Sequence, residues 1–159
     1  MRKPDFGRAL LAGFVAWVVF TIVLYMAPLM GLPAMNVPAM LGGMFGMNSI
    51  ALGWIMHLMI GLILALVYVY WLARFLPGQG WLRGLLFGLV PWIVMMVMVA
   101  PMLPMLNPSM AKMPPGFFFA NLGAGAIMGS LVAHLIFGAV LGAVYGGVTA
   151  ETTARSARA

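Results

Sequence analysis

Charge is what this sequence has least of. Of 159 residues, 8 are Lys or Arg and 2 are Asp or Glu, 6% in all, where a soluble domain carries about 25%. No charged side chain lies between Arg8 and Arg74, and Lys112 alone breaks the stretch between Arg83 and Glu151. Such a chain has nothing with which to cover a surface facing water. Cysteine is absent, which excludes a disulfide framework and a thiolate metal site. Asp5 and Glu151 are the whole acidic complement, and both stand near the chain ends. With no carboxylate inside the apolar runs there is no Ser-His-acid set and no zinc-protease spacing, and the glycine-rich stretches match no phosphate-binding loop. The expectation is a protein that is not an enzyme.

What is present is apolar. Hydrophobic residues make up 65% of the chain, and the mean hydropathy is +1.12. About 20 apolar residues cross the ~30 Å of a bilayer's hydrocarbon at ~1.5 Å per helical residue. The charge gaps, punctuated by Pro, Gly and Asn, define four such runs, near Ala9–Met30, Ile50–Ala73, Gly84–Leu106 and Ala120–Val148. The fold class is therefore all-α: a polytopic membrane protein with four transmembrane helices, residues 1–159 forming a single transmembrane domain with a polar tail at 149–159. Arg2, Lys3 and Arg8 ahead of the first run imitate a signal peptide, but the run outlasts the roughly 7–15 residues of a signal's apolar region. It reads as a retained span. Pro91 predicts a bend in the third span, because it removes one helical hydrogen bond.

The net charge of +6 and a pI near 10.6 do not indicate nucleic acid, because the basic residues bracket the spans and form no patch. Seven of the eight Lys and Arg lie in the N-terminus, the 74–83 loop and the C-terminal tail. The positive-inside rule then places both termini in the cytoplasm, with the chain in the inner membrane. The expected partners are the lipid bilayer and, through helix faces, further copies or other membrane subunits.

The chain also repeats itself. HLMIGLILALVY, from His57 to Tyr68, returns as HLIFGAVLGAVY, from His134 to Tyr145, with six of twelve positions identical. RALLAGFVAW, Arg8 to Trp17, matches RGLLFGLVPW, Arg83 to Trp92, at six of ten. The sequence thus predicts two tandem helical hairpins in parallel orientation, repeat 1 over about 8–73 and repeat 2 over about 83–148, related by an axis along the membrane normal. The glycine-rich paired hairpins, the HLxxGxxxxxVY pattern and the linker Leu76-Pro77-Gly78-Gln79-Gly80-Trp81 resemble an uncharacterised family of small four-helix bacterial inner-membrane proteins, a domain of unknown function loosely similar to the YagU type. That resemblance covers nearly the whole chain and implies a fold and a membrane address, with no activity attached.

Two sets of residues are candidates for chemistry. On a helix, His57, Gly61, Leu64 and Tyr68 share one stripe that extends through Ser49, Gly53 and Ala65, and His134, Gly138, Leu141 and Tyr145 share another with Ala126, Ser130 and Gly142. Small residues at every fourth position let membrane helices approach closely, so both histidines are expected on protein-facing seams. Tyr68 and Tyr145, eleven residues further on, fall in the interfacial aromatic belt with Tyr70, Trp71 and Trp81. Paired at one depth, His57 and His134 suit haem b or a transition metal as a cofactor. The plainer reading is that each imidazole bonds a carbonyl or hydroxyl of a neighbouring helix, such as Thr21, Ser49 or Ser130.

The second set is methionine. Thirteen of seventeen Met cluster at the outward ends of spans one and three or in the loops beyond them. Met35, Met40, Met110 and Met113 are candidate thioether ligands for Cu(I), against the alternative that Met fills irregular gaps. Asn36, Asn48, Asn107 and Asn121 are expected to cap or turn those loops. The functional expectation is a non-enzymatic membrane scaffold or accessory subunit. A haem- or metal-binding protein using His57 and His134 is the first alternative, and a small transporter or Cu(I) conduit is the second.

Overall fold

The computed structural model describes residues 4–156, with the side chains of Phe45 and of residues 147–156 outside the description. All regular structure among the described residues is helical. Helix α1 runs Phe6–Met26 and continues as a 3-10 turn, Ala27–Met30. A short α2, Val37–Gly42, lies in the loop that follows, and α3 spans Ile50–Tyr70. Helix α4 covers Gly80–Val94 and passes through a π turn, Met95–Val99, into α5, Ala100–Leu106. Helix α6 starts at Ala124 and extends to Ser156, so the segment expected as a polar tail begins as helix. Four stretches are long and apolar enough to cross a membrane: Phe6–Met30, Ile50–Tyr70, Gly80–Leu106 and Ala124–Gly146. The protein is a multi-pass membrane protein. We call the end that carries the chain start and the 71–79 linker the terminal side, and the other the loop side.

Local chemistry explains the ends. Asp5 caps α1 by accepting from the Arg8 N–H at 3.0 Å, Asn36 caps α2 through the Ala39 N–H at 2.9 Å, and Ser49 caps α3 through the Leu52 N–H at 3.3 Å. The irregular turn of this span, a π turn at Met95–Val99, comes one turn after Pro91. Pro91 itself is buried within regular α4. The π turn closes with the Ala100 N–H bonding the Met95 carbonyl, an i to i−5 bond. Pro101 and Pro104 have no N–H to give, and Pro101's ring would crowd the Val97 carbonyl of a regular helix. A widened turn just before Pro101 relieves that crowding.

The helices form a row. Helix α3 packs on α1, α1 on α6 and α6 on α4, while α3 and α4 scarcely touch. Among the four long helices the tightest joint is α4 with α6. A Cβ added at Gly84 would collide with the Gly138 carbonyl, one at Gly88 with the His134 carbonyl, and one at Gly142 with the Gly80 carbonyl. At the α1–α3 joint the aligned positions hold a mixture of Ala9, Gly13, Gly61 and Ala65. Helix α3 buries Gly53, His57, Gly61, Ala65 and Tyr68, which is the seam its spacing predicts. Leu11, Phe14, Ile22, Ile55, Met59, Ile63, Ile93, Met98 and Val132 are exposed along the helix flanks. Those flanks contact lipid.

On the loop side, asparagines do the work expected of them. Asn107 is buried, donates from Nδ2 to the Met40 carbonyl at 2.8 Å, and accepts at Oδ1 from the Ser109 N–H and hydroxyl. It therefore ties the two long loops together. Asn121 donates to the Pro114 carbonyl at 3.0 Å, and Asn48 has a φ of 47°. Phe118 and Phe119 also adopt left-handed backbone, with φ of 55° and 57°, a conformation costing roughly 1–2 kcal/mol for each L-residue. Phe119 is held there by burial against Met96, Ala100 and Ala126.

Gly84→Val should destabilise the folded protein by about 1–3 kcal/mol or more, as overpacking does. Gly129→Ala, whose added methyl meets only Leu32 at 3.5 Å, should stay within about 0.5 kcal/mol of the parent. Unfolding titrations in mixed detergent micelles compare the two. Asn107→Ala strands the Met40 carbonyl and should cost about 1–3 kcal/mol in the same measurement.

Candidate functional site: an apolar cavity between the helices

The gap between α3 and α4 opens a cavity of about 620 Å³. Its walls come from all four long helices, and the loop-side segment Ala34–Leu41 closes one end. Both histidines line it. Ile60 on α3 and Val94 on α4 line it as well, and both are exposed on the helix flanks, at 43% and 44%. Counted at ~1.5 Å per residue, both lie near the middle of their spans.

His57 is buried, and its Nδ1 has no hydrogen-bond partner among the described residues. His134 is half-buried and donates from Nδ1 to the Ser130 carbonyl, one turn back on its own helix, at 2.8 Å. A carbonyl can only accept, so this bond sets the proton on Nδ1 and leaves Nε2 with its lone pair. The cross-helix bonds expected from the sequence are replaced by one intrahelical bond and one vacant nitrogen. Thr21 Oγ1, named above as a partner, is itself buried and unpaired.

The two imidazoles share a neighbour that the sequence reading omitted. Phe20 packs edge-on against His57, ring centroids 5.6 Å apart, and against His134 at 5.3 Å. Trp17 adds an edge contact to His57 at 5.7 Å, and its Nε1 is likewise buried without a partner. Trp17, Phe20 and Leu24 follow one another at helical spacing and all line the cavity. That stripe on α1 was the available signal.

The other candidates divide. Met35, Met40 and Met110 line the loop-side end of the cavity, while Met113 is 76% exposed and lies off its walls. Three of the four proposed thioethers are thus brought to one space. No three His, Asp or Glu side chains come together among the described residues, so any metal here would draw its ligands from imidazole and thioether. Tyr68 corrects the aromatic-belt expectation. It is 3% exposed, with its ring 5.0 Å from Phe87 inside the protein, because it continues the seam of small residues inward. Phe6, Tyr70, Trp71, Phe75 and Trp81 are exposed aromatics at that end.

One consequence is measurable without a ligand. An unpaired buried nitrogen costs about 1–3 kcal/mol, so His57→Phe should leave the ligand-free, detergent-purified protein as stable as the parent or more so. His134→Phe, which breaks the Ser130 bond, should lower its unfolding midpoint.

No curated protein and no solved structure matches the chain. The match lies at the level of the family. The protein belongs to the family of unknown function DUF6789, whose model matches residues 4–156.

Proposed function

We propose that this protein is a non-enzymatic carrier or holder of a hydrophobic small molecule, taken from the bilayer into the cavity between its helices. The observation that carries the reading is the pair of buried, unpaired polar atoms beside an apolar cavity, His57 Nδ1 and Trp17 Nε1. Natural ligand sites combine mostly apolar walls with a few polar groups that fix orientation. Indole N–H donates only, so the ligand class that fits is an apolar body bearing an acceptor oxygen, a carbonyl or ether. A turn of the imidazole about its Cβ–Cγ bond presents Nδ1 to the cavity that its ring already lines. Entry beside Ile60 and Val94 gives such a molecule a path from lipid. The Lys and Arg distribution supports an inner-membrane location with both termini in the cytoplasm. A scaffold or accessory-subunit role is compatible, the bound molecule then being what the partner subunit receives.

One observation favours a second reading. Metal-bound histidines characteristically donate their other ring N–H to a carbonyl or carboxylate, and His134 does so to Ser130. His134 Nε2 and His57 would then be the imidazole donors to haem b or a transition metal, with Phe20 standing against both rings.

Purification from native membranes separates these readings. Organic extraction followed by mass spectrometry should recover an oxygen-bearing hydrophobic compound in near-stoichiometric amount, lost in Ile60→Trp and reduced in His57→Phe. A Soret band or bound metal that disappears in His134→Phe would establish the second reading. A colourless, metal-free protein that carries only bulk phospholipid in both parent and variants would overturn both.

A further inference from the structure

A second cavity, also of about 620 Å³, lies at the terminal side and has a different character. Tyr68, Gln79, Arg83 and Tyr145 line it over Gly80 and Gly142. Two phenols, an amide and a guanidinium face one space, and no carboxylate is among its described lining residues. Arg83 Nε is buried with no hydrogen-bond partner among the described residues. A buried guanidinium N–H without an acceptor is unfavourable, and an arginine below the membrane surface ordinarily has an anion beside it.

Comparing the aligned segments shows what Arg83 lacks. Arg8 and Arg83 open the matching stretches RALLAGFVAW and RGLLFGLVPW. Three residues before Arg8 stands Asp5, which pairs with it at 3.4 Å. Three residues before Arg83 stands Gly80. Where the first arginine has a counter-ion, the second has a glycine, and the room left by its missing side chain belongs to the cavity. Asp5 does not serve both. Its carboxylate is engaged by the Arg8 side chain and by the Arg8 N–H at 3.0 Å, and only its backbone N–H reaches the cavity wall, at the Tyr145 hydroxyl, 3.3 Å away. The side chain of Glu151 is outside the described residues.

We infer that Arg83, with the Tyr68 hydroxyl, forms a binding site for a phosphate-type oxyanion, either the headgroup of an anionic phospholipid or inorganic phosphate. The guanidinium fork matches two phosphate oxygens at once, and a phenol O–H donates to a third. The exposed rings of Tyr70, Trp71 and Trp81 place this end of the protein at headgroup level. Arg83, one turn into α4, sits just beneath that level. Basic pockets between membrane helices are known takers of lipid headgroups.

The test is the thermal midpoint of the full-length protein in neutral detergent, titrated separately with short-chain phosphatidylglycerol, short-chain phosphatidylcholine and inorganic phosphate. The site predicts saturable stabilisation by an anionic titrant and none by phosphatidylcholine. A response to phosphatidylglycerol alone identifies the headgroup, and an equal response to phosphate identifies the free anion. Arg83→Gln should raise the half-saturating concentration by about tenfold or more, the scale of a lost charge-assisted hydrogen bond. Tyr68→Phe should raise it by a smaller factor, and Arg8→Gln should leave it alone. If Arg83→Gln does not fold, Arg83→Lys, which keeps the charge and loses the fork, and Tyr68→Phe still decide. Titration of the Arg83 variants indistinguishable from the parent would overturn the site, as would equal responses to the two lipids. Marked tightening in Glu151→Gln would assign the guanidinium to Glu151 and overturn it too.

Discussion

In lipid, an apolar side chain gains little by exchanging acyl chains for another helix, so association depends on close van der Waals contact between backbones. The α4–α6 joint meets that condition most fully, with Gly84, Gly88, Gly138 and Gly142 each at a place where a methyl group would strike the opposite backbone. Two consequences spread from it. Helix α6 is drawn to α4 on one face and packs on α1 with another, so α1 and α3 take up the remaining side. Phe87, Phe137 and Leu141 then fill the terminal half of the interior around Ala12, Ala16 and Ala65.

The joint between α3 and α4 has no such meeting of backbones, and the row of helices stays open there. Inert packing would ordinarily close that space with side chains, because interiors tolerate few voids. Here the loop side borders that space. Asn107 locks the two loops together across the end, and the left-handed turn at Phe118 and Phe119 seats Phe119 against the cavity wall. Backbone strain of this kind persists only where the surroundings over-determine it, and it gathers at functional sites. The vacant His57 nitrogen, the unpaired Trp17 indole and the strained loop thus border one space.

Much of this was legible in the residues. Charge gaps located the four spans to within a few positions, since few other arrangements hide so much apolar surface. Four-residue spacing of small side chains identified the α3 seam that buries His57, and the loop asparagines cap and tie as their chemistry suggests. What escaped was what depends on pairs of helices. Phe20 touches both imidazoles only because α1 lies between α3 and α6. Tyr68 shares the stripe of His57 in the sequence, and its burial follows that azimuth rather than the interfacial depth also expected of it. Met113 shares composition with Met35, Met40 and Met110 but not their wall, for loop course is set by turns that residue type alone does not specify. The widened turn at Met95–Val99, ahead of Pro101, was not specified by the position of Pro91 alone.

For the carrier proposed above, entry beside Ile60 and Val94 changes the terms in which occupancy is measured. A molecule entering there arrives by diffusion in two dimensions, and its effective concentration is a mole fraction of the membrane rather than a molarity in water. The competitors are the surrounding phospholipids, present in vast excess and always at the door. Affinity for apolar chains as such would leave the cavity filled with whatever lipid is nearest. Discrimination has to come from the polar corner at His57 and Trp17, where a bulk acyl chain leaves both nitrogens unpaired and a correctly placed oxygen does not.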